Sequence, residues 1–403
     1  MFSASTFARA TASPDRIGPS KDPKIASSSA LGHRGRSHQR TEKCCWLIGI
    51  AACGFAVFLL ATLGVAIEAR SLALSVGLMA FLISVYIFYG TWRPAPVLSN
   101  ICGAVAVLFL SIGMAGIISL VGLRYHFPLI DDALAESDRL LAIDLPSIIA
   151  WFADRPALSN LLGIAYDSSF AQLLGLVGLL AVLRRYDKLW ELVFVCSLTI
   201  VASTTISIVW PAIGAFAYFD YSTDVIRKLP LNAGTYHLAK FEYFRNAFSP
   251  VISFASLQGV VTFPSFHCCL ALMTIFAAVE TGWLFWIVTA WNSLVLISTL
   301  PIGGHYVVDL AGGGLLWLIG VALATALGRS GRRGVPLPGR QIISEANACP
   351  GAIGERDAEH VALTTVMPMF KFKTARELHV ADLLILAAIA VVTLIVIVTP
   401  FTR

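Results

Sequence analysis

The stretch GGHYVVDLAGGGLLWLIGVALATALG, residues 303–328, carries its only His and its only charged side chain, Asp309, near its start and is otherwise apolar. A helix needs about 20 apolar residues to cross a hydrocarbon core of roughly 30 Å. The stretch therefore predicts a membrane span with a His and an Asp at its mouth. Working outward, the same test predicts eight more spans, near 44–67, 71–91, 98–123, 157–183, 189–212, 258–280, 282–300 and 380–399. With 57% hydrophobic and 13% charged residues and a mean hydropathy of +0.78, the chain is far from a soluble composition. The expected fold is all-α: one polytopic transmembrane helical bundle of about nine spans.

The polar segments set the expected organisation. Residues 1–43 read as a disordered, basic, Ser-rich tail, a composition that also suits an organellar transit peptide. Residues 44–123 hold three N-terminal spans, 124–328 the region that carries the chemistry, 329–379 a linker rich in Gly, Pro and Arg, and 380–403 a C-terminal span. If the N-terminus is cytoplasmic and the nine spans alternate, 20 of the 29 Lys and Arg residues fall on the inner side. That asymmetry supports the threading and puts the tail and the linker in the cytoplasm. Basic charge beside a span serves orientation or meets anionic lipid, so no nucleic-acid partner is expected. The outer segment DRLLAIDLPSIIAWFA, residues 138–153, has the apolar and acidic mixture of a helix lying at the membrane surface.

Seven of the eight Cys lie in apolar segments and Cys349 stands alone in a polar loop, so no disulfide framework is implied. His267-Cys268-Cys269 resembles a ligand run, but consecutive helical residues point about 100° apart and do not close around one ion. No metal and no cofactor are expected.

His267, in TFPSFHCCLALM (262–273), and His305 each open a span from the same side, with one span out and one back between them. They therefore share a depth and a face. Asp309 stands four residues after His305, one helical turn away, where its carboxylate can accept a hydrogen bond from one ring nitrogen and leave the other free for attack. A carboxylate inside a span costs about 2.5–3.5 kcal/mol on insertion scales, which asks for a functional reason. Two helix N-termini with Gly303 and Gly304 between them suit a phosphate group. Ser265 reads equally as a helix cap or a phosphate contact. Asp167, in AYDSSF, reads as part of a polar network within its span.

Pro264-Ser265-x-His267 followed by His305-x3-Asp309 resembles the second and third motifs of the type-2 phosphatidic acid phosphatase superfamily. TFPSFH and GGHYVVDLAGG look most like its bacterial branch related to the inositol phosphorylceramide synthases. Over about residues 125–328 the resemblance implies a six-helix core and a phospholipid or lipid-phosphate substrate. It further implies a phosphohistidine at His305, Asp309 as its orienter, His267 as acid and base, and a site on the extracytoplasmic face of a bacterial inner membrane. Where the phosphatase pattern has an Arg six residues before the nucleophilic His, this chain has Thr299, and the first motif, Lys-x6-Arg-Pro, has no match. Arg245 resembles the Arg of the synthase-like branch and is the expected substitute, with Lys240 second. Arg245, Ser265 and Gly304 are thus the expected phosphate-binding residues. The rival expectation is a membrane carrier or structural protein that keeps the fold without catalysis.

Overall fold

The computed structural model describes residues 23–279 and 281–330, with side chains from residue 38 to residue 328. The expected C-terminal span, the linker and Cys349 lie outside the described residues. The fold is all-α apart from one two-residue strand pair. Helices α1 (Pro23–Leu63), α2 (Ala69–Thr91) and α3 (Pro96–Gly122) lead into four shorter ones, α4 (Asp131–Leu140), α5 (Leu145–Ala153), α6 (Pro156–Asp167) and α7 (Ser169–Val182). After α8 (Tyr186–Val209), the small helices α9 (Ala215–Phe219), α10 (Thr223–Lys228) and α11 (Leu238–Asn246) form a cap. The chain then enters α12 (Phe266–Ala278), α13 (Leu284–Ser298) and α14 (Val307–Ser330).

Among the described residues five helical stretches, within α1, α2, α3 with the turn after it, α8 and α14, are long and apolar enough to cross a membrane. Three expected spans take a different form. The fourth is two helices, α6 and α7, meeting at 47°. The sixth shortens to α12, of 13 residues, because residues 257–265 are not helical, and the seventh to α13, of 15 residues, bounded by turns at 282–283 and 299–303. Of the expected tail, residues 1–22 lie outside the described residues, and from Pro23 the backbone is already helical as the start of α1. The surface helix expected over 138–153 breaks in two, since Asp144 accepts the Ser147 amide and caps a new helix with Pro146 in its first turn.

Helices α3 and α8 are the most enclosed spans. The flank of α2 bears Leu74, Val76, Phe81 and Ile87 exposed, the apolar face a membrane covers. At one end of the bundle strands β1 (Ala66–Ile67) and β2 (Val251–Ile252) pair in parallel. Arg124 reinforces that junction by donating to the Leu63 and Ala247 carbonyls. The segments near 66, 124 and 250, all expected on one side of the membrane, therefore meet at one end.

That end also holds α12 and α14 side by side. A Cβ on Gly313 would collide with the Ser265 carbonyl oxygen, so only glycine lets the two helices approach this closely. The Cys268 and Cys269 thiols donate across the same seam to the Leu310 and Gly313 carbonyls at 3.2 and 3.1 Å. Both cysteines thus pack helices together.

Candidate active site

Ser265 caps α12, its hydroxyl accepting the Cys268 amide at 3.4 Å, and this places His267 in the first turn. The turn before α14 folds back on the end of α13, where the amides of Gly303, Gly304 and His305 donate to the carbonyls of Ser298, Leu300 and Thr299. That turn delivers His305 to the mouth of α12. His305 Nδ1 lies 3.2 Å from Asp309 Oδ2, and its Nε2 lies 3.3 Å from Ser265 Oγ. His305 is 2% exposed and Asp309 is fully buried. The Tyr166 ring that stacks on His267 borders Gly303, as the His305 ring does, and His267 Nε2 makes no hydrogen bond among the described residues. Two imidazoles, a hydroxyl and a carboxylate therefore gather at one helix junction.

Asp309 Oδ2 also accepts the Tyr306 amide at 2.9 Å, while Oδ1 is buried without a partner. With the carboxylate ionised, Nδ1 carries the proton and Nε2 has its lone pair free, held by the Ser265 hydroxyl. That is the tautomer a nucleophilic histidine needs.

The expected anion seat changes. The first-turn amides of α14 are occupied: Val307 and Val308 donate to the Asp138 carboxylate at 2.9 Å each. Gly304 has φ +74° and its amide is spent on Leu300. A Cβ there would lie 2.9 Å from the Gly234 carbonyl oxygen, so this glycine admits the 234 loop. The amides left free are those of Phe266 and His267 at the head of α12, beside Ser265.

Arg245 is not brought to the histidines. Its Nη2 donates to the Phe127 carbonyl at 2.9 Å and its guanidinium lies 5.8 Å over the Phe241 ring, so it ties α11 to the loop before α4. Lys240 donates to the Ser256 carbonyl and the Gln258 amide oxygen. Among the described residues neither His267 nor His305 bonds a Lys or Arg. Asp167 ends α6 as an exposed side chain. The polar network beneath it is made by Ser168, Gln172, Trp291 and Asn292.

Several site residues escape a motif reading. Asp131 and Asp138 look like solvated charges of an acidic loop, yet both are buried on one face of α4. Asp131 accepts the amides of Ile213 and Gly214 and the Tyr306 hydroxyl. Their spacing of seven residues, with apolar Leu134 between them, was the available signal. Burial raises the Asp138 carboxyl above its usual value, against the two amides that favour its ionised form. His237 is also buried, its Nε2 2.7 Å from the Ile213 carbonyl. Desolvation lowers its pKa, and the nearby His305 adds to the effect. Tyr166 stacks on His267 with ring centroids 4.1 Å apart. Nothing local in the sequence marks His237 or Tyr166.

No curated protein and no solved structure matches this chain. The family model of the PAP2 superfamily does match, over residues 132–323, a stretch that runs from α4 into α14 and holds His267, His305 and Asp309, and in that stretch the chain is similar to this superfamily of helical membrane proteins.

Proposed function

We propose that the chain is a membrane enzyme that removes or transfers a phosphoryl-bearing group of a lipid through a covalent phosphohistidine at His305. The single observation that carries this reading is the junction of α12 and α14. There His305 has one ring nitrogen on Asp309 and the other at the Ser265 hydroxyl, beside His267. The likeness to the PAP2 superfamily, whose members are typically phosphatases or phosphotransferases, supports it.

In the first step the His305 Nε2 lone pair forms a bond to phosphorus as the bond from phosphorus to the leaving oxygen breaks. Protonated His267 gives that oxygen its proton. In the second step neutral His267 takes a proton from water or an acceptor hydroxyl, whose oxygen bonds phosphorus while the phosphorus–nitrogen bond breaks. The Phe266 and His267 amides and the Ser265 hydroxyl are the donors placed to hold the phosphate oxygens. Asp309 keeps the His305 tautomer and offsets the imidazolium charge. The substrate is a phospholipid or lipid phosphate reached from the membrane, on the extracytoplasmic face in the threading derived above.

The motif likeness to the inositol phosphorylceramide synthase branch makes transfer of an inositol phosphate group the specific form of this proposal. Purified protein incubated with phospholipids labelled in phosphorus tests both levels. A new labelled phospholipid identifies transfer, whereas free phosphate from a lipid phosphate monoester or a water-soluble headgroup phosphate from a diester identifies hydrolysis, each lost in His305→Ala. Identical wild-type and variant products across a broad lipid panel would return the chain to the carrier or structural reading.

A further inference from the structure

The two imidazoles of the site have unlike supports. His305 leans on a carboxylate, whereas among the described residues His267 hydrogen-bonds to none. Its Nδ1 lies 3.1 Å from the Tyr166 hydroxyl, and that hydroxyl lies 2.9 Å from the hydroxyl of Tyr236. The Tyr166 ring covers the imidazole at 22° to parallel, and its Cε2 borders Gly303, two residues before His305, where a Cβ would meet it at 3.1 Å. Tyr166 comes from the end of α6, where the span bends, and is 7% exposed. One side chain thus touches both halves of the junction. Phe170 adds a ring edge to His267 at 6.1 Å.

We propose that Tyr166, backed by Tyr236, is the positioning residue for His267, as Asp309 is for His305. The inference rests on the phosphohistidine reading above. Because the rings are nearly parallel, the hydroxyl reaches Nδ1 obliquely, so stacking and hydrogen bond together fix the ring. One proton arrangement then serves both steps: Nδ1–H donates to the Tyr166 oxygen, whose own proton goes to Tyr236, while Nε2 alone gains and loses the proton exchanged with substrate. A phenol adds no formal charge, so the imidazolium is held without being locked by an ion pair and can give its proton up. The carboxylate on His305 does the reverse work, keeping that ring oriented through the covalent state. Unlike environments for two like groups are a means of dividing acid and base duties.

The test uses full-length protein and two substrates that differ in the leaving group, an alkyl ester and a p-nitrophenyl ester of the same lipid phosphate, compared by kcat/KM. The alkoxide needs the proton of His267 and p-nitrophenolate does not. Tyr166→Phe, which keeps the stack and removes the hydroxyl, is expected to lose about 10-fold on the alkyl ester and to stay within about twofold on the aryl ester. Tyr236→Phe is expected to show the same pattern at smaller size. Equal losses on both esters, or no loss, would overturn the proposal. Nitrogen NMR of labelled histidine, assigned with His267→Ala, supplies a second readout that needs no turnover. Tyr166→Phe is expected to move the Nδ1 resonance of His267 and leave that of His305, and an unmoved resonance overturns the inference. Absence of any turnover that depends on His305 sinks the phosphohistidine reading instead, and the NMR result still decides the role of Tyr166.

Discussion

Ser265 Oγ lies 3.3 Å from His305 Nε2 while accepting the Cys268 amide at 3.4 Å. The residue that starts the helix of one histidine therefore holds the ring nitrogen of the other that the proposed mechanism uses for attack. The hydroxyl is spent on the imidazole until a phosphate arrives, when it can turn its proton to a phosphate oxygen. Ser265→Ala is expected to lower kcat/KM about tenfold through the lost donor and to weaken the cap of α12 by about 1 kcal/mol. Steady-state kinetics and thermal melting in detergent measure the two effects. Unchanged kinetics would leave Ser265 a cap alone.

Asp309→Asn keeps the shape of the side chain and removes its charge. The Tyr306 amide holds the Asn oxygen towards Nδ1, so the His305 tautomer stays and the variant loses the charge that, in the proposed mechanism, offsets the imidazolium of the covalent step. The expected outcome is a loss of at least about 100-fold in kcat, with little change in the melting temperature. A variant of near wild-type rate would remove Asp309 from the mechanism.

Asp138 braces α14 from outside both motifs, and its carboxylate closes the Val307 and Val308 amides. Asp138→Ala leaves two amides at a buried helix end without acceptors, with an expected cost of about 2 kcal/mol. Because those amides sit directly after His305, activity should fall with stability. Full activity at a lowered melting temperature would separate the brace from the site.

His237 gives a pH signature with a definite sign. Burial holds its folded pKa below the ordinary value of 6.5, so the folded protein declines a proton that the unfolded chain accepts. The stability this neutral ring contributes is complete above pH 6.5 and is lost as pH falls towards the folded value. His237→Gln removes the titration while keeping a donor for the Ile213 carbonyl. The melting-temperature gap between wild type and variant should narrow from about pH 7.5 to about pH 5. A gap constant with pH would show that His237 does not titrate on unfolding.

The helical fold and the meeting of His267, His305 and Asp309 were legible because each rests on a short-range rule. Apolar length gives spans, and a spacing of four residues puts Asp309 on His305. Where the chain departs from those rules, long-range contacts decided. The 257–265 approach is not helical because Ser265, bonded through its amide to the Asp309 carbonyl, starts α12 late. The amides of α14 are unavailable to phosphate because Asp138, 169 residues away, already takes them. Gly304, expected at a phosphate, is also required by the close approach of the Gly234 carbonyl, which no local pattern shows. Arg245 has the charge a phosphate would want, but α11 points it at Phe127. Tyr166 stands next to the Asp that drew notice in AYDSSF, and only the stacking of its ring on His267 beside the Gly303 turn shows that the tyrosine is the one at the site.

The most direct measurement is the capture of the covalent intermediate. Protein mixed with a phospholipid labelled in phosphorus and quenched within the first turnover should carry label that is lost in acid, kept in base and mapped to the peptide containing His305. His267→Ala should still accumulate that label if water or acceptor attack becomes the slow step, whereas His305→Ala should carry none. Turnover by wild type with no label on this peptide, or equal label on His305→Ala, would contradict the account.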